Sequence, residues 1–165
     1  ARRVGGSIPD VKGAGTDIWG GADQFQFAST NVDGDTTVTA RVEAFAAEHV
    51  WAKAGVMLRN GTGPSSPFAA VLRAPGEGLA FTWRDSYSAT PEQVVITVPE
   101  GPVWVRVTRR ANTFAGYYSV DGTKWHQIGT GQTIAMPDAL KAGLAVTSHD
   151  AAKRATATFT NVRAA

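Results

Sequence analysis

The side chains best suited to chemistry in this chain are indoles and guanidinium groups set opposite runs of valine. In Val103-Trp-Val-Arg-Val-Thr108 the three valines share one parity, and Trp104 and Arg106 share the other. Arg59 closes Trp51-Ala-Lys-Ala-Gly-Val-Met-Leu-Arg59, and Arg84 closes Phe81-Thr-Trp-Arg84. An indole offers a flat apolar wall for the C–H face of a sugar ring, and guanidinium groups donate to hydroxyls or sugar carboxylates. His49 and Trp51 stand where a loop enters a strand, and Tyr87 is the one aromatic of the polar loop Asp85-Ser-Tyr-Ser-Ala-Thr90. Trp104, Arg106, Arg59, Arg84, Trp51, His49 and Tyr87 are therefore the expected ligand-binding set. A plainer role stays open for each: arginines can pair across strands with Glu43 or Asp85, and rings can pack under loops. Trp83 has core parity.

Metal chemistry has a weaker footing. Asn31-Val-Asp-Gly-Asp35 places oxygens at i, i+2 and i+4, a spacing that suits calcium. Asp33 and Asp35 are the candidate ligands of a structural calcium, with Asp17 or Asp150 assisting. The alternative is an Asx turn between two strands. Catalysis lacks a pattern. None of the five glutamates (Glu43, Glu48, Glu77, Glu92, Glu100) has an acidic partner two or four residues on within a strand, as glycan hydrolysis by paired carboxylates would want. His49, His126 and His149 lack zinc spacing, and there is no cysteine, nucleophile elbow or phosphate loop. An enzyme would have to gather its acid and base from distant loops, for example Glu48, Asp85 and His49.

The elements that position these groups read as strands. Period-two segments recur over residues 23–30, 36–45, 51–60, 68–74, 78–85, 93–98, 103–109, 113–120, 124–128, 143–148 and 156–162. Turn-rich stretches separate them, such as Asn60-Gly-Thr-Gly-Pro64, Ala74-Pro-Gly-Glu-Gly78 and Pro99-Glu-Gly-Pro102. Asp121-Gly122 predicts a tight type I′ hairpin joining 117–120 to 124–128. No segment carries a helical stripe. Parity assigns Val38, Ala40, Val42 and Ala44, then Ala54, Val56 and Leu58, to the core. Phe68, Ala70 and Leu72, Leu79, Phe81 and Trp83, and the three valines of 103–107 join them. The other face would collect Lys53, Arg59, Arg73, Arg84, Arg106, Trp104, Glu43 and Phe45, unless a bulge flips a strand. The last strand, 156–162, is expected beside the N-terminal region.

Bulk composition narrows the classes. The 165 residues suit one domain with a sizeable core, and 43% hydrophobic content excludes a disordered chain. No apolar run approaches the ~20 residues of a membrane span. Sixteen basic against 14 acidic residues, with no basic run beyond Arg109-Arg110 and the tail pair Arg2-Arg3, argue against a nucleic-acid partner. The opening Ala1-Arg-Arg-Val-Gly5 reads as the edge of a longer protein.

An ordered set of motifs carries a resemblance across nearly the whole chain. They include Gly15-Thr-Asp-Ile-Trp-Gly-Gly-Ala-Asp-Gln-Phe25, Gly34-Asp-Thr-Thr-Val-Thr-Ala-Arg-Val42, Trp51–Arg59 and Val103–Arg109. Gly116-Tyr-Tyr-Ser-Val-Asp-Gly-Thr-Lys-Trp125, Gly143-Leu-Ala-Val-Thr-Ser-His149 and Ala157-Thr-Phe-Thr-Asn-Val162 complete the set. The chain resembles concanavalin A-like, laminin-G-like jelly-roll domains of the kind appended to secreted bacterial glycosidases. The resemblance implies an all-β, two-sheet antiparallel jelly-roll sandwich with one concave sheet. It also makes Trp19 and Trp125 structural turn residues, and Ser119–Trp125 is similar to the Asp-box hairpin of sialidase-like folds. The function it implies is a non-catalytic, secreted, monomeric carbohydrate-binding module, with an oligo- or polysaccharide and a neighbouring catalytic domain as partners. The alternatives are a structural or protein-interaction spacer and a hydrolase or lyase with loop-borne carboxylates. Fold alone does not choose among them.

Overall fold

The computed structural model describes residues 8–76 and 78–165. The expected edge at residues 1–5, the Arg2-Arg3 pair and Glu77 lie outside them. Thirteen strands follow in order: β1 (Ile8–Gly15), β2 (Gln26–Asp33), β3 (Thr36–Ala46), β4 (Lys53–Arg59), β5 (Phe68–Arg73), β6 (Gly78–Arg84) and β7 (Glu92–Thr97). The rest are β8 (Val103–Arg110), β9 (Thr113–Ser119), β10 (His126–Gln127), β11 (Gln132–Thr133), β12 (Ala139–Thr147) and β13 (Asp150–Ala164). One sheet has seven strands in the order β1-β13-β3-β8-β9-β10, with β11 also on β9; the other has six, β2-β12-β4-β5-β6-β7. The pairings within both sheets are antiparallel. β1, which the sequence reading leaves out, lies along β13 with Ile8 opposite Phe159, so the N-terminal region and the last strand do meet.

The core lies between the sheets. Val38, Ala40 and Val42 of β3 and the three valines of β8 face Val56, Leu58, Val71 and Phe81 of the other sheet. Gly116 lets the sheets close: a Cβ there would lie 2.6 Å from the Phe81 ring and 2.8 Å from a Val71 methyl. β8 shows what period two looks like when one face is wet, with Val103, Val105 and Val107 buried and Trp104, Arg106 and Thr108 half-buried.

β4 and β5 do not alternate in burial. Their outward residues Met57, Phe68, Ala70 and Leu72 form a second apolar cluster with Ile18 and Ala145, and Phe25 and Phe27 pack against it. The loop over residues 16–25 supplies Ile18 and Phe25, so it roofs part of the outward face of the six-stranded sheet. A strand buried on both faces reads as a continuous apolar run, and β5 is such a run.

That corrects the parity of β5. Ala69 and Val71 point between the sheets, and Phe68, Ala70 and Leu72 point out under the loop. Arg73, opposite Ala54 and Leu79, takes the inward parity and donates to the carbonyls of Gly76 and Pro99. β3 flips as well. Its register against β13 shifts between Thr158 and Phe159, a bulge that turns Ala44 outward and packs Phe45 on the core. The hairpin at Asp121-Gly122 exists, but it is not a two-residue turn. Tyr118 pairs with His126, and only Gly122 has positive φ (80°), whereas type I′ needs it at both central residues.

Candidate functional site

A groove of about 330 Å³ crosses one end of the outward face of the six-stranded sheet. Its floor is Leu72 of β5 with Ala80 and Thr82 of β6, and Gln93 and Val95 of β7 continue it to the sheet edge. Its β4 side is a mixed wall of Trp19, Trp51, Asp17, Lys53 and His149. These side chains hold one another. Lys53 Nζ lies 2.6 Å from Asp17 Oδ1 and 5.6 Å from the centre of the Trp19 ring. His149 Nδ1 sits 3.3 Å from Asp17 Oδ2, and the His149 ring stacks on His49 with centroids 4.3 Å apart. The Trp51 amide donates to His49 Nδ1 at 3.0 Å. His149 has φ of 62°, an uncommon conformation for a residue with a Cβ. Trp51 is 58% exposed and Val95 60% exposed, both against the groove. Apolar walls with a few fixed polar groups are the usual make-up of a ligand site, and the volume falls at the small end of that class.

A buried ionic clasp sets the other end of the same face. Asp23 accepts from Arg59 Nη1 at 2.6 Å and from Arg84 Nη1 and Nη2 at 2.6 and 2.7 Å. The two guanidinium groups also donate to the carbonyls of Gly63, Pro64, Ser66, Ala89 and Gly20. The Arg59, Arg84 and Asp23 side chains are 1%, 0% and 0% exposed. Phe68 lies under both guanidinium groups. Burial lowers the Arg59 pKa from its ordinary value, and the hydrogen bond and charge of Asp23 push it back up. The clasp ties loops 16–25, 60–67 and 85–91 to β4 and β6.

The expected ligand set therefore divides. Arg59 and Arg84 are at the predicted outward parity, but they are spent on Asp23 and on loop carbonyls and face no solvent. Trp51 lines the groove. His49 stands behind it and holds His149 and Trp51. Tyr87 is 63% exposed at the clasp end, with Asn60 donating to its hydroxyl, and it does not reach the groove. Trp104 and Arg106 belong to the seven-stranded sheet, on the opposite side of the sandwich. The Trp104 ring meets Trp125 edge-on at 6.4 Å, Arg106 lies 3.8 Å over the Trp125 ring and donates to Thr39 Oγ1. Burial lowers the Arg106 pKa. The single platform expected across both sets is two separate faces. Alternation shows which way a side chain points from its own strand, not which sheet the strand joins.

The carboxylates proposed for calcium are not gathered into one cluster among the described residues. Asp35 Oδ1 accepts the Ala111 amide at 2.7 Å, tying the β2–β3 turn to the β8–β9 turn. Asp17 is taken by Lys53. No group of three or more His, Cys, Asp or Glu among the described residues is placed to hold a metal ion.

Sequence reasoning misses Trp19, Asp17, His149, Gln93 and Val95 as groove residues. Lys53 it places outward without assigning it to the site. The signals were a glycine-flanked loop, Gly15-Thr-Asp-Ile-Trp-Gly-Gly21, and a valine on the polar parity of β7. Neither says that the loop folds back over β4.

No protein-family model matches the sequence, and no curated protein sequence matches it. Solved structures do match in fold. A functionally unknown protein from Saccharomyces cerevisiae aligns with a TM-score of 0.76 at 15% identity, over 94% of this chain and 86% of that one. The carbohydrate-binding module CBM66 from Bacillus subtilis aligns at 0.56 and 13% identity, over 87% and 81%. The chain has a concanavalin A-like jelly-roll fold. The same jelly roll matches part of the xylan β-1,4-xylosidase from Bacillus halodurans C-125, with a TM-score of 0.61 and 11% identity. There it covers 86% of this chain but only 30% of the xylosidase. The fold is thus shared with a carbohydrate-binding module and with a region of a glycan-active enzyme.

Proposed function

We propose that this jelly roll is a non-catalytic carbohydrate-binding module that holds a saccharide in the groove beside Trp51. The observation that carries the reading is the groove itself, where two indoles, an exposed valine and fixed polar groups converge on a mostly apolar floor. A sugar ring has the same mixture, with apolar C–H faces and a polar rim. The carbohydrate-binding neighbour supports this class by fold. The xylosidase neighbour, of which the jelly roll covers only 30%, supports a setting in which the jelly roll is one part of a longer glycan-directed protein, and secretion is part of the proposal. The test is a printed glycan array and retardation in polysaccharide gels, repeated with Trp51→Ala. Retention by wild type and its loss in the variant are the expected result. No retention on any glycan would leave the spacer reading.

One observation favours a second reading. His149 lines the groove with a left-handed backbone, and its Nδ1 lies 3.3 Å from Asp17 Oδ2 without a hydrogen bond between them; an imidazole in a groove can serve as a general base once a ligand aligns it. Release of oligosaccharides from a bound polymer, abolished by His149→Ala, would replace the binding module with an enzyme.

A further inference from the structure

The groove is blind at one end, and we infer that it recognises the terminus of a glycan chain, not an internal stretch. This rests on the groove being the glycan site. The closed end is at β4. The next strand over is β12, whose outward residues Ala145 and Thr147 are both fully buried. Thr147 Oγ1 donates to the carbonyl of Gly15 and lies 3.2 Å from that of Gln24, so the strap over residues 15–24 is stitched directly onto β12. Ile18 plugs the space above Ala145. A chain lying along the groove cannot continue over β12. Nor can it turn along β4 and β5 towards Arg59, because Met57, Phe68 and Ala70 are completely covered.

The opposite end is open. β7 is the edge strand, and its outward residues Gln93, Val95 and Thr97 are exposed. A ligand entering over β7 slides its last ring across Ala80 and Leu72 and meets Asp17, Lys53 and His149. The charged groups, Asp17, Lys53 and His149, are gathered at the closed end where a chain end presents its extra hydroxyl, and the strip leading out carries only uncharged side chains, Ala80, Thr82, Gln93 and Val95. A site for internal segments would instead be open at both ends, with polar contacts spread along it. The Lys53 charge is offset by Asp17 at 2.6 Å, so the terminal residue favoured by this end is a neutral sugar.

The experiment uses the whole chain and unsubstituted linear xylan, mannan and glucan, each as a length ladder from disaccharide to polymer, titrated calorimetrically. Terminus recognition requires one protein per glycan chain at every length, with Kd per chain constant within about twofold once the groove is filled. A stoichiometry that rises with chain length, several proteins loading one polymer, overturns the inference while leaving the binding module intact. Absence of heat with every ladder, together with a blank glycan array, overturns both.

Discussion

The two outward faces of the sandwich solve opposite problems. On the seven-stranded sheet, β8 alternates, and its outward Trp104 and Arg106 are half-buried among Thr39, Tyr117 and the short Gly122–Trp125 stretch of the β9–β10 hairpin. On the six-stranded sheet, β4 and β5 carry apolar residues outward as well as inward, and a strap held by the Asp23 clasp covers most of them. The covered face, not the open one, has the groove, because a strap that stops short leaves a wall.

The sharpest way to break the comparison is at the clasp. Asp23→Ala strands two buried guanidinium groups and should cost about 3–5 kcal/mol of unfolding free energy. Urea denaturation measures it, and a loss under about 1 kcal/mol would mean that Ile18, Phe25, Thr147 and the Lys53–Asp17 pair hold the strap without the clasp. Next comes the groove. Trp51→Ala should weaken binding of the best array glycan by about tenfold or more, with little change in the unfolding midpoint, because the indole is 58% exposed. Equal affinity in the two proteins would move the site away from β4.

The open face should behave in the reverse way. Trp104→Ala should leave glycan affinity unchanged and lower stability by about 0.5–1.5 kcal/mol, through loss of the Trp125 contact and of packing on Gly122. Lost binding with retained fold would place the site on this face instead. The smallest expected effect is a pH dependence at the neighbouring hairpin. The amides of Lys124 and Thr123 hold the Asp121 carboxyl well below its ordinary range. A depressed carboxyl stabilises the fold above its unfolded pKa and loses that contribution as the pH falls towards the folded one. The midpoint difference between wild type and Asp121→Asn should therefore shrink below about pH 4. A difference constant down to acid would assign the hairpin's stability to Gly122 and Trp125.

What the sequence by itself determined was local. Period two gave β8 its faces, because side chains alternate whatever the strand packs against. The turn residues mark the strand ends closely enough to imply a sandwich, and Arg59 and Arg84 take the outward parity that their strands imply. Tertiary structure alone decided what outward means. Arg59 and Arg84 lie 25 positions apart in the sequence, and Asp23 is 36 and 61 positions away from them; their meeting depends on a strap folding back over the sheet. The same fold-back carries Asp17 and Trp19 to Lys53 and turns the strand ends of β4 to β7 into a groove. It also explains why β5 takes the parity opposite to the one its sequence suggests. A continuous apolar run carries no alternation, so only the contacts of Ala69 and Val71 across the core, and of Phe68 and Leu72 beneath the strap, could set its face.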